Sequence, residues 1–193
     1  MHARRASRGM TLIESIIAIV ILAIALITLT SFLFPSVQKS ALPHYQVRAA
    51  SLGQAVLNQI LATSFDEQSD RNGGLSRCDE LEQQPCTLPT LLGPEPNEQP
   101  AFYNDVDDYI GCWYGANAQQ QCQQGMPLVS LLGGDSDQDY RNFVVNIQVS
   151  YDYDSALGGT VTSHNTSAFK KVTVRVSASN FTEYTFVAYK GNY

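Results

Sequence analysis

From Met10 to Phe34 the chain reads MTLIESIIAIVILAIALITLTSFLF, 25 residues with one ionisable side chain, Glu14. At about 1.5 Å per helical residue, this run is long enough to cross a hydrocarbon core of roughly 30 Å. Arg4, Arg5 and Arg8 precede it with no acidic residue among them. The positive-inside bias therefore keeps residues 1–9 cytoplasmic and sends the remainder, from about residue 36, across the membrane. The run exceeds the length of an ordinary secretory h-region, and no good small-residue cleavage site follows it. A membrane helix joined to one globular body is the organisation this implies, since the remaining 158 residues suffice for a sizeable core.

A carboxylate in such a helix costs about 2.5–3.5 kcal/mol at the helix centre, so Glu14 needs a partner or a position near the interface. It lies one turn from Met10. Near that end of the run its carboxylate can reach the interface.

The short basic leader ending in Gly9, then Met10-Thr11-Leu12-Ile13-Glu14 and an apolar run, resembles the class III signal of type IV pilins and type II secretion pseudopilins. The resemblance implies cleavage between Gly9 and Met10 by a prepilin peptidase on the cytoplasmic side, and N-methylation of Met10. It also implies that Glu14 pairs with the amine of a neighbouring subunit to set axial register during assembly. Its presence sets the chain apart from the tip pseudopilins. Major pilins most often begin the mature chain with Phe, and Met in that place is more typical of minor pilins and minor pseudopilins. The acidic body and the stretch Val106-Asp107-Asp108-Tyr109 most resemble the D-type minor pilins of mannose-sensitive haemagglutinin (MSHA) pili. The partners implied are other pilins, the peptidase, the inner-membrane assembly platform and the membrane. The implied location is the bacterial inner membrane, single-pass with the body outside the cytoplasm, and then a pilus at the cell surface.

Beyond Phe34, Pro35 and Pro43 each remove an amide donor and predict a kink or local unwinding if the helix continues. Val47, Ala50, Leu57, Ile60 and Leu61 then recur near helical spacing, which predicts an amphipathic helix over 36–64 that packs on the body's sheet. Residues 66–100 are polar, with Gly73-Gly74 and five prolines, and read as loop.

Two cysteine pairs punctuate a loop-rich insert over 65–141. Cys78 and Cys86 enclose seven residues and Cys112 and Cys122 enclose nine. In an oxidising compartment four cysteines read as disulfides, and of three connectivities the sequence-local one, Cys78–Cys86 with Cys112–Cys122, is preferred. Zinc is a poor fit, because no Cys-x-x-Cys occurs and His2, His44 and His164 are scattered.

Acidic clusters occur at Asp105, Asp107, Asp108 and at Asp135, Asp137, Asp139, and are read as solvated turns. The second begins like an EF-hand loop, which makes Asp135, Asp137 and Asp139 the calcium candidates and calcium the one cofactor the sequence leaves open. Tyr140 at loop position six and Asn146 at position twelve break that pattern. Tyr109, Trp113 and Tyr114 are read as packing for a small loop subdomain rather than as an exposed binding patch.

Alternation of Phe143, Val145, Ile147, Val149 and Tyr151, and of Val172, Val174, Val176 and Ala178, predicts two half-buried strands. A turn at Gly158-Gly159 and a third strand over 183–189 complete an antiparallel meander over 142–193. The expected fold is α+β, a long N-terminal helix packed through its second half on an antiparallel sheet, as in type IV pilins.

Without the leader, nine basic residues face eighteen acidic ones, which is no nucleic-acid footprint. No glycine-rich phosphate loop or nucleophile motif accompanies the histidines, so the chain reads as a structural subunit rather than an enzyme. A type II secretion pseudopilin and a permanently anchored periplasmic binding domain are the other readings.

Overall fold

The structure is a computed structural model. It describes residues 11–70, 77–80, 83–134, 136–154, 161–162, 164–178, 181 and 183–192, with the backbone alone at 33–41 and 136–137. The chain divides into two units, residues 1–44 and residues 45–193.

The first element is a 50-residue helix, α1, Leu12–Leu61. It runs unbroken through Pro35 and Pro43, contrary to the unwinding expected there. Each proline deletes one i→i−4 bond, and the neighbouring bonds carry the helix past it. In the first unit, Leu12–Phe32 is the stretch apolar and long enough to cross a membrane, and none of it is buried by the chain. Its hydroxyls are satisfied within the helix. Thr28 and Thr30 donate to the carbonyls of Ala25 and Leu26, both at 2.9 Å, and Ser31 to that of Thr28 at 2.9 Å. The helix therefore brings no unmet hydroxyl donor from these residues into an apolar medium.

In the second unit the helix buries Ala49, Leu52, Val56, Leu57 and Ile60 in the main core, at the 3- and 4-residue spacing of one helical face. The face is rotated from the one anticipated: Val47 is 70% exposed, Ala50 is exposed and Leu61 is half-buried. Small residues, Ala49 and Gly53, occupy the side that approaches the sheet, so residue size selects the face as much as hydrophobicity does.

The sheet has five strands in the order β2-β1-β3-β4-β5. These are β1 Gly111–Tyr114, β2 Met126–Pro127, β3 Phe143–Tyr151, β4 Phe169–Ala178 and β5 Tyr184–Gly191. Strands β3, β4 and β5 form the antiparallel meander, with Phe143 opposite Ala178 and Tyr151 opposite Lys170. The insert also contributes, through β1 antiparallel to β3 and through the short β2 parallel to β1. Two short helices, α2 Val129–Leu132 and α3 Ser136–Asp139, precede β3. The turn expected at Gly158-Gly159 and the loop glycines Gly73 and Gly74 lie outside the described residues.

Trp113 is fully buried and Tyr109 nearly so, both in the main core with α1 and the sheet rather than in a separate subdomain. Trp113 Nε1 donates to the Tyr109 carbonyl at 3.0 Å, which satisfies the indole in its apolar surroundings. Cys78–Cys86 and Cys112–Cys122 are both bonded. The first packs with Phe65 and Tyr151, the second with Ala118 and Val144.

Candidate functional site

Gly9 and Met10 lie outside the described residues. Glu14 lies within them, at the third position of α1. The Glu14 amide donates to Thr11 Oγ1 at 3.4 Å, and the Thr11 amide to Glu14 Oε2 at 3.5 Å. This reciprocal arrangement is a capping box, which satisfies two of the donors a helix start leaves open. The signal, Thr-x-x-Glu ahead of an apolar run, is present in the sequence.

On either side of Glu14 the helix displays Leu12, Ile13, Ile16, Ile17, Ile19 and Val20, each more than half exposed. A continuous apolar surface of this kind requires lipid or other apolar helices around it.

The body holds a second constellation. Asp105, Asp107 and Asp108, expected to be solvated, are buried at 1%, 1% and 0% exposure, and Asp66 joins them at 0%. Lys170, also fully buried, supplies the counter-charge for Asp66 and Asp107. Its ammonium donates to Asp107 Oδ1 at 2.5 Å, the Phe65 carbonyl at 2.7 Å and Asp66 Oδ2 at 2.9 Å, three acceptors for three donors. The Phe65 and Tyr151 rings lie 4.8 and 5.4 Å away by their centroids, within cation–π range.

The acceptors are themselves held. Asp66 accepts from the Thr87 amide at 3.0 Å, and Asp107 Oδ2 accepts from the Gly93 amide at 3.1 Å. Asp105 Oδ1 accepts from the Asp107 amide at 2.9 Å. Burial acts to lower the pKa of Lys170, but Asp107, Asp66 and Asp105 outweigh it and the net shift is upward. Asp105 is pushed up to about 9, first by burial and then by Asp107, against the opposing pull of Lys170. The knot therefore sets an ammonium against Asp66 and Asp107, with Asp105 biased toward its neutral form.

The alternation of β4 carries the signal for this lysine. Residues 172, 174, 176 and 178 are buried, and the same parity places residue 170 inward. The alternation that is apolar begins only at Val172, so the lysine two residues earlier does not stand out as inward. An inward cation then calls for buried acids, which the run from Asp105 to Asp108 supplies.

The knot joins the polypeptide after α1, the insert and β4. It is a structural anchor: the ammonium is protonated and fully engaged, so it offers no free nucleophile. Among the calcium candidates, Asp135 lies outside the described residues and the side chain of Asp137 is likewise not described. Asp139 is exposed and approaches Arg48 at 3.8 Å.

Residues 4–30 match the prokaryotic N-terminal methylation motif. The match supports a type IV pilin or pseudopilin, a structural subunit whose leader a prepilin peptidase removes and which assembles with other pilins. The one apolar helix near the N-terminus among the described residues fits a membrane-anchored pilin. No curated protein and no solved structure matches the chain.

Proposed function

We propose that the chain is a minor pilin of an MSHA-like type IV pilus, cut between Gly9 and Met10, N-methylated at Met10 and assembled through its N-terminal helix. The observation that carries the reading is that residues 4–30 match the methylation motif while Leu12–Phe32 is an apolar helix with no covering from its own chain. In the inner membrane, lipid covers that surface. In a filament, the helices of neighbouring subunits cover it, so the transfer exchanges one apolar environment for another. Glu14 is the exception along this surface, and the methylated amine of a neighbouring subunit would neutralise it on docking.

The body then lies outside the cytoplasm and, after assembly, at the cell surface, where it primes assembly or makes adhesive contacts. Two disulfides suit that oxidising setting. The large insert with its two cysteine pairs and the Val106–Tyr109 stretch favour a minor pilin of the MSHA kind over a type II secretion pseudopilin.

The test is intact-mass and N-terminal analysis of the membrane-extracted protein from cells with and without prepilin peptidase. A peptidase-dependent start at N-methylated Met10 supports the filament pathway. Recovery of the subunit in sheared pili, rather than impaired secretion on its deletion, then separates the pilus from the secretion system. A chain beginning at Met1 in both cells overturns the proposal in favour of an anchored binding domain.

A further inference from the structure

Among the described residues, two groups of three carboxylates come together in the body, with one oxygen from each member within 4.8 Å of the others. In the group of Asp66, Asp105 and Asp107, the Lys170 ammonium supplies the positive charge. The group of Glu95, Glu98 and Asp108 is different. Among the described residues, no lysine or arginine forms an ion pair with any of the three.

Asp108 is 0% exposed. Its Oδ2 accepts from the Asn104 amide at 2.7 Å and the Asp105 amide at 3.0 Å, whereas its Oδ1 is buried with no hydrogen-bond partner. Glu95 Oε2 is likewise buried and unpartnered. A buried carboxylate oxygen without a donor is costly, and a second carboxylate beside it adds repulsion. No hydrogen bond within the described chain reaches either of these two oxygens.

We propose that Glu95, Glu98 and Asp108 form a calcium site that ties the 93–98 turn to the 104–108 turn. Calcium holds oxygens at about 2.3–2.6 Å and accepts carboxylates with variable geometry, so donors on one ion stand up to roughly 5 Å apart. The separation within the group meets that condition. Magnesium prefers a smaller octahedron in which several positions are water, a poorer match to three clustered carboxylates. Glu95 and Glu98 are half-buried, which gives an ion access from solvent, while Asp108 closes the inner side.

The two turns are already in contact, since the Gly93 amide donates to Asp107 Oδ2 at 3.1 Å. The opposite oxygen of Asp107 holds Lys170. Calcium would therefore brace the loop against the same acidic turn that anchors the lysine. This site is independent of the pilin reading and distinct from Asp135, Asp137 and Asp139.

The test is calorimetric titration of calcium into the full chain in detergent micelles after chelator treatment. One calcium per chain is expected, with a Kd of about 10⁻⁴ M or tighter and a preference over magnesium. E98Q should weaken binding by about tenfold or more, through loss of ligand charge, while its Tm without calcium stays at or above that of the wild type. D137N/D139N should bind as the wild type does. Absence of saturable binding, equal affinity for magnesium, unchanged affinity in both E95Q and E98Q, or loss of binding in D137N/D139N would each overturn the assignment.

Discussion

A Cβ at position 53 would stand 2.4 Å from Cε2 of Phe186, so α1 and the edge strand β5 meet at a point where the helix carries no side chain. G53A should destabilise the body by about 1–2 kcal/mol, because displacing the ring costs more than the roughly 1 kcal/mol gained in helix propensity. F186L should relieve much of the loss in a G53A background. Trp113, the single tryptophan and fully buried, makes fluorescence-detected denaturation the direct measurement.

K170M should cost about 3–5 kcal/mol, since it leaves Asp66 and Asp107 buried without their cation. Adding D66N and D107N should recover part of that loss by removing the stranded charges. Denaturant midpoints of the single and triple variants check the expectation. If K170M alone retained the wild-type midpoint, the lysine would not be the anchor of these acids.

Asp105 gives the body a pH dependence of definite sign. Its folded pKa, about 9, lies above the ordinary value of roughly 3.9. Between those values the native chain retains a proton that the unfolded chain releases, so this group reduces stability as pH rises. D105N preserves an acceptor for the Asp107 amide and does not titrate. Its stability should gain on the wild type steadily from pH 5 to pH 9, with the two closest at the acid end. Glu95, raised to about 7 first by burial, contributes in the lower part of the window in both proteins and cancels in the comparison.

The outline of this fold can be read from the chain because its largest features are periodic. The apolar run fixes α1, and the alternations through Phe143–Tyr151 and Val172–Ala178 fix two central strands. The buried face of α1 is harder to read, because Ala49 and Gly53 face inward through their small size while the larger Val47 stays exposed. The lysine knot escapes for another reason. An acidic run reads as surface until its counter-ion is located, and here that cation is supplied 63 residues beyond Asp107.

Thr11 and Glu14 cap one another, so two roles for Glu14 can be separated. T11A removes the reciprocal hydroxyl and should cost the helix start about 0.5–2 kcal/mol, with incorporation into filaments retained. E14A should abolish incorporation while the membrane-bound pool persists. Immunoblots of sheared filaments and membrane fractions measure both. Equal loss in the two variants would reduce Glu14 to a capping residue.

Removing the disulfides tests how firmly the insert is stapled. C78S/C86S and C112S/C122S should each lower stability by about 2–3 kcal/mol in the chain-entropy model. The second should also perturb Trp113 fluorescence in the native state, because Cys112 immediately precedes that residue in β1.

The ammonium of the buried knot comes from residue 170, and its acceptors come from residues 65, 66 and 107. A growing or translocating chain that has delivered the insert but not β4 therefore holds its acids without their counter-charge, and they must remain hydrated. Dry closure of the body is deferred until the late strand arrives. The lysine thus acts as a completeness check, coupling burial of the early acidic turn to delivery of nearly the whole chain.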